Sequence, residues 1–304
     1  MTGQHVASGG GAADAVPATP GVRRPSPRHH VAAVSALILT VAIAWSALTF
    51  GPGLAGGAGP GAISGEDRGV LLTFGTLVAG ALLLAAILRR PIALGRRRPW
   101  LIVMALPAGA VGVSAALGLS ALAGAAGIAG SRPPTGAASL MIGGLVLLWA
   151  AFAEELLFRS VLQPVLARAW GVAAALVLTA GAFTLTHYLG GWRDPVSLLN
   201  IFLAGSWFGV LAWRTGGVLA PTLAHFGWNG AEALLLGVSP NPGIGSHGSI
   251  ADIDLSGPAI LGGSGEGLNA SLTATIILIL LIVAGGWRWR GGPDRERTIL
   301  RAGQ

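Results

Sequence analysis

Glu154, Glu155 and Arg159 stand together in "WAAFAEELLFRSVL", residues 149–162, a run that otherwise has the composition of a membrane span. An ionisable side chain at the centre of a bilayer costs about 2.5–3.5 kcal/mol on insertion scales, so each one needs a partner or a function. Few other polar residues share this apolar frame: His187, Asn200, and the trio His225, Asn229 and Glu232. Residues four apart stack on one helix face while neighbours diverge by about 100°, which separates the two glutamates. Glu155 pairs with Arg159, acid before base, and Glu154 is left on an adjacent face without an intrahelical cation. That makes Glu154 the candidate base for activating a water. His225, Asn229 and Glu232 follow at i, i+4 and i+7 and lie on one stripe of one helix. His225 and Asn229 carry N–H donors, and two donors on a rigid helix in a dry site suit an oxyanion hole. The competing reading for this pair is hydrogen-bonding glue between helices, which is also the reading for Glu232. For Glu155 and Arg159 the competitor is an ion pair that only locks two helices.

The elements that position these residues follow from composition. With 53% hydrophobic and 10% charged residues and a mean hydropathy of +0.70 over 304 residues, the chain reads as an all-α, polytopic transmembrane bundle. Apolar runs at about 31–50, 69–88, 100–124, 138–158, 171–189, 196–213, 218–237 and 269–286 make about eight spans. The first could be a signal peptide behind a basic region, but it is long enough to span and more spans follow, so it reads as a retained helix. Residues 1–30 lack apolar periodicity and read as a disordered cytoplasmic tail; 287–304 read as a basic cytoplasmic tail. The loop 239–268 reads as flexible, polar and outside, and no internal repeat is evident. All 19 basic residues are arginines, and most fall in segments that share one side if the N-terminus is cytoplasmic. The positive-inside rule then puts both termini in the cytoplasm of a multi-pass protein of the cell membrane. The arginines flank spans as topology signals do, which argues against nucleic acid as a partner despite a pI near 11.6.

Depth decides whether the polar groups can meet. If the fourth span ended at Phe158, Glu154 would lie near one surface and His187 near the other. "RSVLQPVLARAW" keeps Leu and Val at helical spacing, so the fourth helix can run on to about Ala169, with a tolerable kink at Pro164. From that turn Glu154 lies fifteen residues down one arm and His187 eighteen down the other, a mismatch of about 5 Å.

Other hydrolytic chemistries fit less well. No cysteine is present, so thiol nucleophiles and thiolate metal sites are excluded. No histidine precedes a glutamate in an HExxH pattern, and Asp194, Asp252 and Asp254 fall in loops rather than as a buried pair. Ser120 in "GLSA" sits among small residues and reads as helix packing, as do Gly205 and Gly209. Two glutamates and two histidines could ligate zinc or manganese; a metal-free mechanism is preferred because His225 is already assigned.

The three clusters together resemble a family. "EELLFR" at 154–159, "FTLTH" at 183–187 and "HFGWN" at 225–229 are similar in order and spacing to the EExxxR, FxxxH and HxxxN motifs of the CPBP intramembrane proteases, the CAAX-processing and bacteriocin-processing group related to Rce1-type enzymes. The resemblance covers about 137–237. It implies a glutamic endopeptidase, and no cofactor is expected. In it Glu154 and His187 activate a water, His225 and Asn229 stabilise the oxyanion, and Glu155 with Arg159 orders the site. The expected partner is a peptide or protein substrate at the lipid bilayer. The family also includes immunity and scaffold proteins, and a proton-coupled transporter remains a further alternative.

Overall fold

The computed structural model describes residues 25–55, 65–129, 136–242 and 247–286. Nine α-helices are present among them: α1 Pro27–Phe50, α2 Gly65–Ile87, α3 Pro99–Leu122, α4 Ala137–Glu155, α5 Gln163–Trp170, α6 Val172–Leu189, α7 Pro195–Thr215, α8 Leu219–Gly230 and α9 Leu272–Gly286. Local sequence sets the ends. Pro27, Pro99 and Pro195 open their helices, where the missing N–H has no intrahelical acceptor to lose. Asp194 caps α7 by accepting from the backbone N–H groups of Val196 (2.8 Å) and Ser197 (3.3 Å). Gly171, at φ 83°, makes the reversal between α5 and α6 that a residue with a Cβ would resist.

Six helical arms are long and apolar enough to cross a membrane: α1, α2, α3, the continuous arm Ala137–Trp170, α6 and α7. The chain is a multi-pass membrane protein. The other two expected spans are shorter, because α8 passes into a π-helical segment at Ala231–Leu235 and α9 is described only to Gly286. The fourth span is longer than 138–158. It continues through a π-helical segment, Leu156–Leu162, into α5. α1 starts at Pro27, so it takes in the last four residues of the expected tail; residues 1–24 and 287–304 lie outside the described residues.

Two apolar cores are built side by side. One joins α1, α2, α4, α5 and α6 around Leu84, Leu157, Phe158 and Leu166; the other joins α3, α7, α8 and α9 around Val113, Trp207, Phe208 and Trp228. α3 and α8 touch backbone to backbone, since a Cβ on Gly109 would lie 2.1 Å from the Ala224 carbonyl oxygen. Ser120 joins α3 to α9 through a 2.8 Å hydrogen bond to Thr273.

The two ends of the bundle differ. At one, a three-stranded sheet forms from β1 Ala126–Ile128, β2 Val238–Ser239 and β3 Ile253–Leu255, in the order β1-β3-β2. This small sheet is an addition to the expected all-helical class. The segment expected to be a flexible loop also carries, among its described residues, the buried His247, which pairs with Asp67 at 3.3 Å. At the other end the α2–α3 connection is strapped to the α7–α8 turn: the backbone N–H of Arg97 donates to Thr215, and those of Val218 and Leu219 donate to Ala93 and Leu94.

Candidate active site

The π-helical segment gives the site its rigid wall. Its wider turns, with Gln163 N–H reaching back to the Phe158 carbonyl, bring Arg159 and Gln163 to face α7. There the Arg159 guanidinium donates to the Gly205 carbonyl (3.2 Å) and the Gln163 amide to the Gly209 carbonyl (3.0 Å). Gly209 is needed for this approach, since a Cβ there would come within 2.9 Å of Gln163 Oε1; one at Gly205 would instead meet Phe183 (3.3 Å) and Ala180 (3.4 Å) of α6. π-Helical turns inside α-helices are frequent at functional sites. Arg159 is fully enclosed, with its guanidinium carbon 4.9 Å from the centre of the Phe183 ring and 6.0 Å from that of Phe208.

The expected Glu155–Arg159 pair is present at 3.3 Å with both side chains buried. The sequence did not reveal its extension: Glu155 Oε1 also lies 3.1 Å from His225 Nδ1. An ionised Glu155 accepts, so His225 donates through Nδ1–H, and its Nε2 is the atom turned to Glu154, 3.9 Å from Oε2. Phe208 stacks on the imidazole at 4.8 Å and 20° and holds the ring plane. His225 is therefore fixed from three sides. Its role as an oxyanion donor carries a condition that spacing alone could not supply: with Nδ1–H committed to Glu155, Nε2 bears a proton only in the imidazolium form.

His187 is fixed differently. Its Nδ1 donates to the Phe183 carbonyl one turn back (2.9 Å), which leaves Nε2 as the acceptor nitrogen of the ring. The Gly171 reversal lies seventeen residues beyond Glu154 and sixteen before His187, so both groups stand about 25 Å from it at matched height. A cavity of about 620 Å³ between the two cores is lined by Glu154, His187, His225 and Asn229 together. Glu155 and Arg159 stand behind it.

Residues 135–231 match the model of the type II CAAX prenyl endopeptidase Rce1-like family. The chain carries an Rce1-like domain. No curated protein matches it.

The six residues given roles in the peptidase reading, Glu154, Glu155, Arg159, His187, His225 and Asn229, fall inside the matched segment. Parts of the cavity lie outside it: Glu66 at the start of α2, Asn241 after β2, and Asn269 before α9. Pattern reasoning missed these because Glu66 precedes the apolar run that marks α2 and the two asparagines sit in connections without periodicity. Among the described residues, neither the side-chain amide nitrogen nor the side-chain carbonyl oxygen of Asn241 has a hydrogen-bond partner. Asn200 is spent structurally, donating to the carbonyls of Asn269 and Ser271 (both 2.8 Å) and accepting from Thr275 (2.7 Å). Glu232 is 1% exposed and does not line the cavity; the polar group beside its carboxylate is the Trp228 indole, one turn back on the same helical arm. Among the described residues, no group of three or more His, Asp or Glu is arranged to hold a metal ion.

Proposed function

We propose that the protein is an intramembrane endopeptidase of glutamic type, acting on a peptide or protein substrate at the cell membrane. The observation that carries this reading is the single cavity lined by a carboxylate, two imidazoles and a carboxamide at one depth. A water held between the Glu154 carboxylate and the His187 Nε2 lone pair attacks the scissile carbonyl while Glu154 takes its proton. As the C–O bond forms, charge moves to the carbonyl oxygen. The Asn229 amide and an Nε2–H of His225 donate to it. Glu154 then passes the proton to the departing amine as the C–N bond breaks. Glu155 and Arg159 touch no reacting atom in this scheme; they position His225 through the 3.1 Å contact at Nδ1.

The family-level match supports protease chemistry, and the matched heights of Glu154 and His187 support these two as the pair that activates water. The test compares peptides released by mass spectrometry from membranes carrying the wild type or Glu154→Gln, which keeps the shape but cannot accept the proton. Release should disappear with the substitution while thermal stability in detergent is unchanged. Equal release from both would remove Glu154 from the mechanism.

A further inference from the structure

The turn between α6 and α7 carries an aromatic side chain of the cavity that the proposed chemistry does not use. Trp192 lines the cavity with His187, and the centre of its indole lies 6.4 Å from that of the His187 imidazole. Two aromatic rings therefore flank the imidazole: Phe183 at 4.5 Å on the same helix, and Trp192 beyond the end of that helix. The backbone N–H of Trp192 also donates to the His187 carbonyl at 3.2 Å.

A turn bonded only to itself keeps its shape but not its place. Among the described residues, most hydrogen bonds of 188–194 stay within the turn or the helices it joins: Gly190 N–H to Thr186, Gly191 N–H to Tyr188, and the Arg193 guanidinium to the Tyr188 and Trp192 carbonyls. Trp192 packs on the first apolar core, but such packing has no direction of its own. The exception is Glu266. Its Oε1 accepts from the backbone N–H of Arg193 at 2.7 Å and from that of Asp194 at 3.0 Å, the two residues that follow Trp192. Burial alone would raise the Glu266 carboxyl, but the Arg193 N–H, the Ser197 hydroxyl, the Asp194 N–H and the Arg193 charge outweigh it and hold the group below the ordinary carboxylate range. The acceptor is thus ionised at neutral pH, and hydrogen bonds to an ionised oxygen are about twice as strong as neutral ones. Glu266 is itself anchored. A Cβ at Gly267 would run into the Pro240 carbonyl oxygen, so the two backbones touch. The Asn200 amide grips the carbonyls of Asn269 and Ser271, both at 2.8 Å, and the Ser271 hydroxyl donates to Leu268 at 2.7 Å.

We propose that Glu266, which lies outside the matched residues 135–231, is a positioning residue of the catalytic site: it fixes the α6–α7 turn, and through it the indole that sets the His187 imidazole. It touches no reacting atom. Without it the turn keeps its local bonds but swings as a unit, which carries Trp192 away from His187 and leaves the ring held by its bond to the Phe183 carbonyl alone. A misplacement of about 1 Å can cost about 10²-fold in rate. The effect on turnover rests on the peptidase reading of His187; the fixing of the ring does not.

Full-length protein in detergent, with its histidines isotopically labelled at Cε1, reads the ring directly by NMR, the His187 line being the one absent from His187→Gln. Glu266→Ala removes the acceptor, whereas Glu266→Gln keeps an oxygen for the two N–H groups. The His187 line should shift or split by more than its wild-type width in Glu266→Ala and stay within that width in Glu266→Gln. A purely structural anchor would lower the unfolding midpoint and leave the line where it is, which overturns the proposal. On a peptide that the wild type cleaves, kcat should fall by about tenfold or more in Glu266→Ala with KM little changed, and recover to within about threefold in Glu266→Gln. Wild-type kcat in Glu266→Ala overturns the proposal as well. Should Glu266→Ala not fold, Glu266→Asp, whose carboxylate is one methylene short of the two N–H groups, carries the same comparison. If no peptide is cleaved, the His187 line alone decides, and only the peptidase reading fails.

Discussion

Removing Arg159 tests the positional chain from the π-helical wall to the reacting atoms. Arg159→Met deletes the cation 3.3 Å from Glu155, its bond to the Gly205 carbonyl, and its seat over Phe183. Both partners of the ion pair are fully buried, and stranding one such charge costs about 3–5 kcal/mol. At about 2 °C or more per kcal/mol for a chain of this size, the unfolding midpoint in detergent should fall by at least about 6 °C. Activity should fall as well, because an uncompensated Glu155 no longer holds Nδ1 of His225 in one geometry. The double variant Glu155→Met with Arg159→Met separates the two effects. Replacing a buried ion pair by apolar groups of similar size is often neutral for stability, so the midpoint should return to within about 2 °C of the wild type. Cleavage should not return, since His225 has lost its acceptor. A single variant with an unchanged midpoint would refute the ion pair. A double variant that regains both stability and cleavage would refute the positioning role.

His187→Ala should slow the chemical step by about 10²–10⁴ with little change in the midpoint, and Asn229→Ala by about 10²–10³, measured as single-turnover rates on a released peptide. Cleavage should survive prolonged treatment with a membrane-tolerant chelator; reversible loss that zinc restores would recast Glu154, His187 and His225 as ligands. Gly109→Ala places a methyl 2.1 Å from the Ala224 carbonyl oxygen and 2.7 Å from the Trp228 backbone nitrogen, so α8 must move. It should destabilise by about 1–3 kcal/mol and depress cleavage, read as a lower midpoint and a lower kcat, because His225 and Asn229 ride on that helix.

The spans, the Glu155–Arg159 pair and the shared stripe of His225 and Asn229 are legible in the sequence because each depends on spacing within one helix. The extension of the fourth arm to Trp170 is legible too, from Leu and Val continuing at helical spacing past Arg159. What spacing cannot carry is contact between helices. The bond from Glu155 to His225 joins residues 70 apart in the chain, and its consequence for the tautomer of His225 appears only once the ring is placed. The π-helical turns are equally silent, since a one-residue change of register leaves the apolar pattern almost intact. Glu232 shares a stripe with His225, yet the register change at Ala231–Leu235 takes it away from the cavity. Asn241 and His247 owe their positions to loops, where composition says polar and nothing about direction.

The π-helical segment also ties the arm's length to its phase. An α-helix advances about 100° per residue and the wider π-helical turns advance less, so the seven residues Leu156–Leu162 cover about the angle that six would cover in ordinary winding. Losing one of them with a return to ordinary winding would leave α5 near its present phase, whereas the same loss within α4 would turn everything beyond it by about 100°. What the shortened segment would lose is the aim of its own side chains, Arg159 toward the Gly205 carbonyl and Ser160 toward the backbone of Ala93. A change of length by one residue in related sequences is therefore expected at these seven positions before any other point of the arm, at the expense of the wall rather than of the bundle.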